Sequence, residues 1–281
     1  MNESVRSIGP LPGGSEAWWI LHQIKGRGLV LTPNEDTAGA LFDNYQALER
    51  WQNPTLPTRA AFFSEDDEER LTALSQWVRG TTHILIAPRE SVSTPLPPEA
   101  SFSEAHRILK LGERLNRETF FTHLLTHGFE RVDTVERPGE VAVRGEVMDL
   151  WSPGWETSIR TLWPFDQIES IRKIDLSTQR STDLITEIEV RPARLPAEEL
   201  SLKSSLFDYL GPGGTLFESH PSREAPILWP GTHIVHAPLE EVSDPLPYAS
   251  PPPVAGHMDL LAKEIRTWVN NGWKIDIFCH N

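Results

Sequence analysis

Two histidines four residues apart, His123 and His127, have the spacing of a zinc-binding pair on a helix. A metalloprotease would place its general-base Glu directly after the first histidine. Leu124 stands there instead, so a packed or solvated pair is expected. His233 and His236 are three apart on a predicted strand, which turns them to opposite sides and prevents joint chelation. Phosphate chemistry needs a Gly-rich loop ending in Gly-Lys-Ser/Thr, whose amides and lysine hold the anion. The nearest glycine cluster, Gly211-Pro212-Gly213-Gly214, lacks the lysine and loses an amide to proline, so it is expected to end a helix. The acidic run Glu65–Glu69 has no ligands aimed at one centre; it reads as a helix start, with negative charge on the positive end of the dipole. Cys279 is the single cysteine, has no partner at catalytic spacing and is expected to act as a small buried hydrophobe. These residue types call for no metal and no cofactor.

The remaining candidates are arginines and aromatics between Phe129 and Ile174. Runs of β-branched and aromatic residues are broken there by Pro138-Gly139 and Ser152-Pro153-Gly154, a strand–turn–strand pattern. Val141, Val143 and Arg144 lead through Gly145 into Val147, Met148 and Leu150. The polar face of that hairpin shows Arg144, Glu146 and Asp149. Arg160 sits mid-strand between Ile159 and Leu162, and Ile168, Ile171 and Ile174 close the sheet. Two arginines on a small antiparallel sheet, with no catalytic constellation beside them, point to a docking face. On a rigid strand each guanidinium can make bidentate bonds to a partner's carboxylate at little entropic cost. The competing reading is an ion pair within the sheet, with Glu146, Asp149 or Glu156. Trp151, Trp155, Trp163 and Phe165 divide between core and interface anchors. Trp151 and Phe165 are expected in the core, and Trp155 stands between the two roles.

These residues need elements to hold them. The chain has 281 residues, room for one large domain or two smaller ones. Its net charge of -14 repels phosphate backbones, so little or no DNA binding is expected of it. One cysteine, no apolar leader and no apolar run of spanning length predict a soluble cytoplasmic protein with no membrane contact. Residues 1–15 read as loose. Gly28–Leu31 reads as a buried strand, followed by an Asn34-capped helix with Ala38, Leu41, Tyr45 and Leu48 at helical spacing. A helix carrying Leu71, Leu74 and Val78 stops at Gly80, and His83–Ala87 is the next strand. Residues 104–127 are predicted mostly helical, with Asn116 as a cap and Gly128 as the end. The tryptophans of this first part, Trp18, Trp19, Trp51 and Trp77, read as ordinary packing. After the antiparallel segment, which finishes near Val190, a helix at Leu202–Leu210, strands at Thr215–Glu218 and His233–Ala237, a helix at Asp259–Asn271 and a strand at Lys274–Phe278 follow. Strands alternating with helices predict an α/β sheet with parallel neighbours, interrupted by a β-rich insert. The stretches from Thr82 and Thr232, THILIAPRESVSTPLPP and THIVHAPLEEVSDPLPY, agree at eleven of seventeen positions. Shared turn chemistry at two strand ends accounts for that echo better than a functional repeat.

The run Gly128-Phe129, Arg131-Val132-Asp133, Val135-Glu136, Pro138-Gly139-Glu140, Val143-Arg144-Gly145, Asp149-Leu150, Ile159-Arg160, Ile168-Glu169-Ser170-Ile171-Arg172 and Asp175 keeps its order and spacing over about half a hundred residues. It resembles the homology module shared by the bacterial transcription–repair coupling factors and the excinuclease protein UvrB. In those families the module is an insert that binds the excinuclease protein UvrA. The resemblance implies a degenerate RecA-like, nucleotide-free α/β domain in two discontinuous segments, residues 1–112 and 194–281. The inserted, mainly antiparallel module lies at 113–193. Arg144 and Arg160 fall where the family contacts UvrA. A Phe-Phe pair follows the second arginine in the family, where this chain has Trp163-Pro164-Phe165, so the contact falls to Trp163 or Phe165, with Trp155 a further candidate. Lacking a phosphate loop, the chain sides with the coupling factors over the alternative of a UvrB-like, ATP-driven repair enzyme; a free-standing UvrA-binding adaptor without a motor is the third reading. The resemblance further implies a longer parent that binds RNA polymerase and double-stranded DNA and carries a C-terminal module able to cover the docking face. Because the chain stops at Phe278-Cys279-His280-Asn281, straight after a predicted strand, it is expected to be the N-terminal piece of such a protein.

Overall fold

The computed structural model describes residues 5–9, 11–175, 177–195, 204–221, 227–236, 242–246 and 258–272. In chain order its first elements are β1 (Arg6–Gly9), α1 (Ser15–Gln23), β2 (Gly28–Thr32), α2 (Glu35–Gln52), β3 (Ala60–Phe62), α3 (Asp67–Val78) and β4 (Ile84–Pro88). Next come α4 (Glu99–Glu104), β5 (Arg107–Lys110), α5 (Arg117–Thr126), β6 (Glu130–Arg131), β7 (Glu140–Arg144), β8 (Val147–Trp151) and β9 (Ile159–Leu162). The remainder is β10 (Ser170–Asp175), β11 (Arg180–Leu184), β12 (Glu187–Val190), α6 (Leu206–Leu210), β13 (Thr215–Ser219), β14 (Thr232–His236), β15 (Asp244–Pro245) and α7 (Met258–Asn270).

Seven strands form one sheet in the order β15-β1-β14-β13-β2-β4-β3, and every neighbouring pair is parallel. A parallel sheet must bury both faces, so its central strands are apolar throughout; every residue of β2 and β4 is buried. One face packs α1 and α2 through Trp19, Ile20, Leu41 and Tyr45. The other packs α3 and α6 through Leu71, Leu74, Trp77 and Tyr209. The two expected caps are present, Asn34 accepting from the Thr37 amide and Asn116 from that of Thr119; Asp66, within the acidic run, adds a third by accepting from the amides of Glu68 and Glu69. The chain leaves this sheet after β4 and rejoins it at β13. In between it builds a six-stranded sheet, β11-β10-β9-β8-β7-β6, antiparallel except where β6 meets β7, and a two-stranded ladder of β5 with β12.

Three expectations change. Residues 6–9 are a strand between β14 and β15, not part of a loose leader, because their backbone groups are paired on both sides. Residues 107–110 are extended, since the ladder with β12 outweighs the helical pattern around them. Trp51 is 43% exposed on α2, unlike Trp19 and Trp77, which are buried. Beyond Leu210 the two predicted strands and the helix appear as β13, β14 and α7, with the unpredicted short β15 between the last two, while the predicted strand at 274–278 and Cys279 lie outside the described residues. The two echoed stretches contribute β4 and β14 to one sheet. Among the described residues no helix is long and apolar enough to cross a membrane.

Two histidines, His106 buried and His123 half-buried, make stability depend on acid. His106 is held below the usual imidazole range chiefly by burial, and its Nε2 has no hydrogen-bond partner. His123 is lowered by burial first and then by the neighbouring His127. A folded pKa below the unfolded one gives stability that is complete above about 6.5 and is lost as pH falls through that region. The urea midpoint is therefore expected to drop between pH 7 and pH 5, and less steeply in a His106→Phe variant. Parallel slopes for the two proteins would assign the acid sensitivity elsewhere.

Candidate functional site

The six-stranded sheet has one covered face and one open one. Strand alternation sends Val141, Met148, Leu150, Ile159 and Ile171 inward, where they pack with Phe120, Phe121 and Leu124 of α5 and with Trp163 and Ile168. The outward residues form rows set by register. One row runs Ala142, Asp149, Arg160, Arg172 and Leu184; the next runs Arg144, Val147, Leu162 and Ser170. At one end Val135, Ala142 and Trp151 form a small cluster with Val132 and Trp155. The rest of the face is charged and apolar in alternation, with Leu184 53% exposed.

Arg144 sits at the mouth of a two-residue turn whose first position, Gly145, has φ +59, a conformation that glycine permits at low cost. Its side chain is exposed and donates to the Asp133 carbonyl and the Thr134 hydroxyl. Arg160 behaves differently. Its Nε and one terminal nitrogen donate to the two carboxylate oxygens of Asp149, both at 2.7 Å, so the intramolecular pair weighed against a docking role is present. Asp149 keeps only 8% of its side chain in solvent, and Arg160 keeps 28%. The bonds to Asp149 raise the guanidinium pKa further, and the other terminal nitrogen donates to the Gln179 carbonyl at 3.4 Å, with Arg172 opposite on the neighbouring strand.

The aromatics separate cleanly. Trp163 is 1% exposed and donates to the Leu115 carbonyl at 3.0 Å, which places it in the core. Phe165, expected inside, is 98% exposed. The cause is backbone geometry: Pro164 is buried, and the left-handed Phe165 (φ 48) reverses the chain and turns its ring to solvent. Trp155 is half-buried, packs against both module clusters and donates to the Glu189 carbonyl, so its surface is spent on packing. Trp151, 9% exposed, is core. Arg172 was not singled out from the sequence; the alternation Ile171-Arg172-Lys173 next to Arg160's partner strand was the available signal.

Elsewhere, the candidate ligands serve packing. His123 Nε2 meets the Ala105 carbonyl at 3.1 Å and His127 Nδ1 meets the His123 carbonyl at 2.7 Å. His233 pairs with Glu218, which also pairs with Arg89, while His236 turns to the opposite face. No group of ligands with metal-holding geometry occurs among the described residues. Gly211 ends α6 as expected. Sequence reasoning passed over a closer relative of a phosphate loop. β1 precedes α1, with Gly13 and Gly14 directly before the helix, the order of elements that cradles phosphate. Where that motif needs Lys and Ser/Thr, this chain has Ser15 and Glu16. The Leu11 amide donates to His236 Nε2 at 3.2 Å, and the imidazole Nδ1 meets Glu16 Oε1 at 2.9 Å. Because Nε2 accepts, Nδ1 carries the proton. The imidazole thus takes the Leu11 amide, and Glu16 holds the imidazole. The spacing Gly9-x4-Gly14 was the signal.

Residues 108–195 match the family described as the UvrB interaction domain. The chain is also similar to proteins named transcription-repair-coupling factor. It is 27% identical to that of Bacillus subtilis (strain 168) over 126 residues, 45% of this chain and 11% of the relative. With that of Escherichia coli (strain K12) it shares 32% over 136 residues, 48% of this chain and 12% of the relative. With that of Myxococcus xanthus it shares 31% over 128 residues, 45% and 11% respectively. The matched stretch therefore spans about a tenth of these relatives' length.

Proposed function

We propose that this chain is the N-terminal part of a transcription–repair coupling factor and that the outward face of its six-stranded sheet docks the excinuclease protein UvrA. The observation that carries the reading is that face. It bears Arg144, Arg160 and Arg172, with an almost fully solvated Phe165 in the turn that follows β9, while α5 packs on the opposite side. The family match over 108–195 contains all four residues and supports the same partner. An acidic surface with a pocket for one aromatic ring is the complement such a face fits. In this proposal the seven-stranded lobe is a non-catalytic carrier, a degenerate RecA-like domain in two discontinuous segments around the module. RNA polymerase contact, DNA translocation and a C-terminal module that masks the face belong to a longer parent protein. Immobilised chain is expected to capture purified UvrA saturably without nucleotide, while a fluorescent ATP analogue gives no saturable signal with the chain alone. Failure to retain UvrA above a reference α/β protein would remove the proposal.

A further inference from the structure

We infer that Asp166 is a positioning residue whose carboxylate, anchored on the start of α5, holds the Phe165 ring out from the docking face; this rests on the docking role proposed above. Phe165 and Asp166 have φ of 48 and 57, two consecutive left-handed residues, both carrying a Cβ. Side chains with a Cβ avoid that region, and such strain persists only where surrounding bonds over-determine it. Those bonds are present on both sides of the ring. One Asp166 oxygen accepts from Asn116 Nδ2 at 2.9 Å, and the other from the Arg117 amide at 3.0 Å. The Asp166 carbonyl accepts from the Leu115 amide at 2.9 Å, and Trp163 Nε1 ties the preceding turn to the Leu115 carbonyl. Asn116 at the same time caps α5, so the clamp is built on a helix end that packing already holds.

The amide of Arg117 and the side chain of Asn116 also keep the Asp166 carboxyl below its ordinary range, so the clamp stays ionised at neutral pH. The Arg117 guanidinium reaches the Gly145 carbonyl, joining the platform under Phe165 to the turn that carries Arg144. Nothing among the described residues buries the ring, which is 98% exposed. A turn serving the fold alone would take glycine at these angles. Here a large apolar group is displayed with its backbone already ordered, which removes that ordering cost from association.

The test uses the 281-residue chain as wild type, Asp166→Ala, Asp166→Asn, Phe165→Ala and the Phe165→Ala/Asp166→Ala pair. Affinity for UvrA is expected to fall about tenfold in Asp166→Ala and clearly less in Asp166→Asn, which keeps an acceptor for the Arg117 amide. On the Phe165→Ala background the Asp166→Ala change should add nothing, because it acts through the ring. Chymotrypsin supplies a readout without a partner. The cut after Phe165, normalised to free peptides of each sequence, is expected to accelerate about tenfold in Asp166→Ala at an unchanged urea midpoint. Unchanged cleavage, unchanged affinity, or an equal loss with and without Phe165 would each overturn the positioning role. A wild-type chain that fails to bind UvrA overturns the docking role instead, and the cleavage assay still decides whether Asp166 holds the turn.

Discussion

An Arg160→Ala chain is expected to lose about 3 kcal/mol of folding stability, read as a lower urea midpoint at constant slope. The magnitude follows from what remains behind. Asp149 is buried between β7 and β9, and both its oxygens are satisfied by Arg160. Removing the arginine leaves a carboxylate with little solvent and no counter-charge, which costs far more than losing an exposed ion pair. Asp149→Ala with Arg160→Ala should therefore be more stable than Arg160→Ala alone, since the orphaned charge has gone. If the double variant is the less stable of the two, the pair is not the reason for the loss. This geometry also bears on charge reversal. A glutamate at position 160 would face Asp149 and weaken the sheet itself, so loss of partner capture in such a variant would report unfolding together with docking.

The docking role is better tested at two exposed residues that take no part in the Asp149 pair. Arg144→Glu combined with Phe165→Ala is expected to lower affinity for UvrA by about a hundredfold, with the urea midpoint unchanged. Neither side chain is part of the core: Phe165 is 98% exposed, and Arg144 bonds only a surface carbonyl and hydroxyl. Reversing the charge at 144 replaces attraction to a partner's carboxylates with repulsion, and truncating 165 empties whatever pocket the ring fills. The Arg144 contribution should shrink with added salt while the Phe165 contribution persists, because only the first is screened. Wild-type affinity in the double variant would place the contact on another surface.

Much of this was legible from residue order. Continuous apolar runs at Gly28–Leu31 and His83–Ala87 announce strands buried on both faces, and Asn34 and Asn116 stand where helix amides need acceptors. The spacing from Gly128 to Asp175 identified the module, and strand alternation put Arg144 and Arg160 on one outward face. That much is local, since period, turn chemistry and capping act between residues close in the chain.

Relations between distant residues came from the folded chain alone. That Asp149, not solvent or a partner, holds two nitrogens of Arg160 depends on the register of β8 against β9. That Trp163 is sealed and Phe165 displayed depends on a left-handed turn fixed by residues 115–117, some fifty positions earlier. β1 looked like a loose leader because its partner strands, β14 and β15, lie more than two hundred residues away. The imidazole of His236 that meets the Leu11 amide is equally remote. Composition and periodicity report whether a side chain prefers water; they carry no information about which far segment arrives to bury it, bond it or leave it exposed.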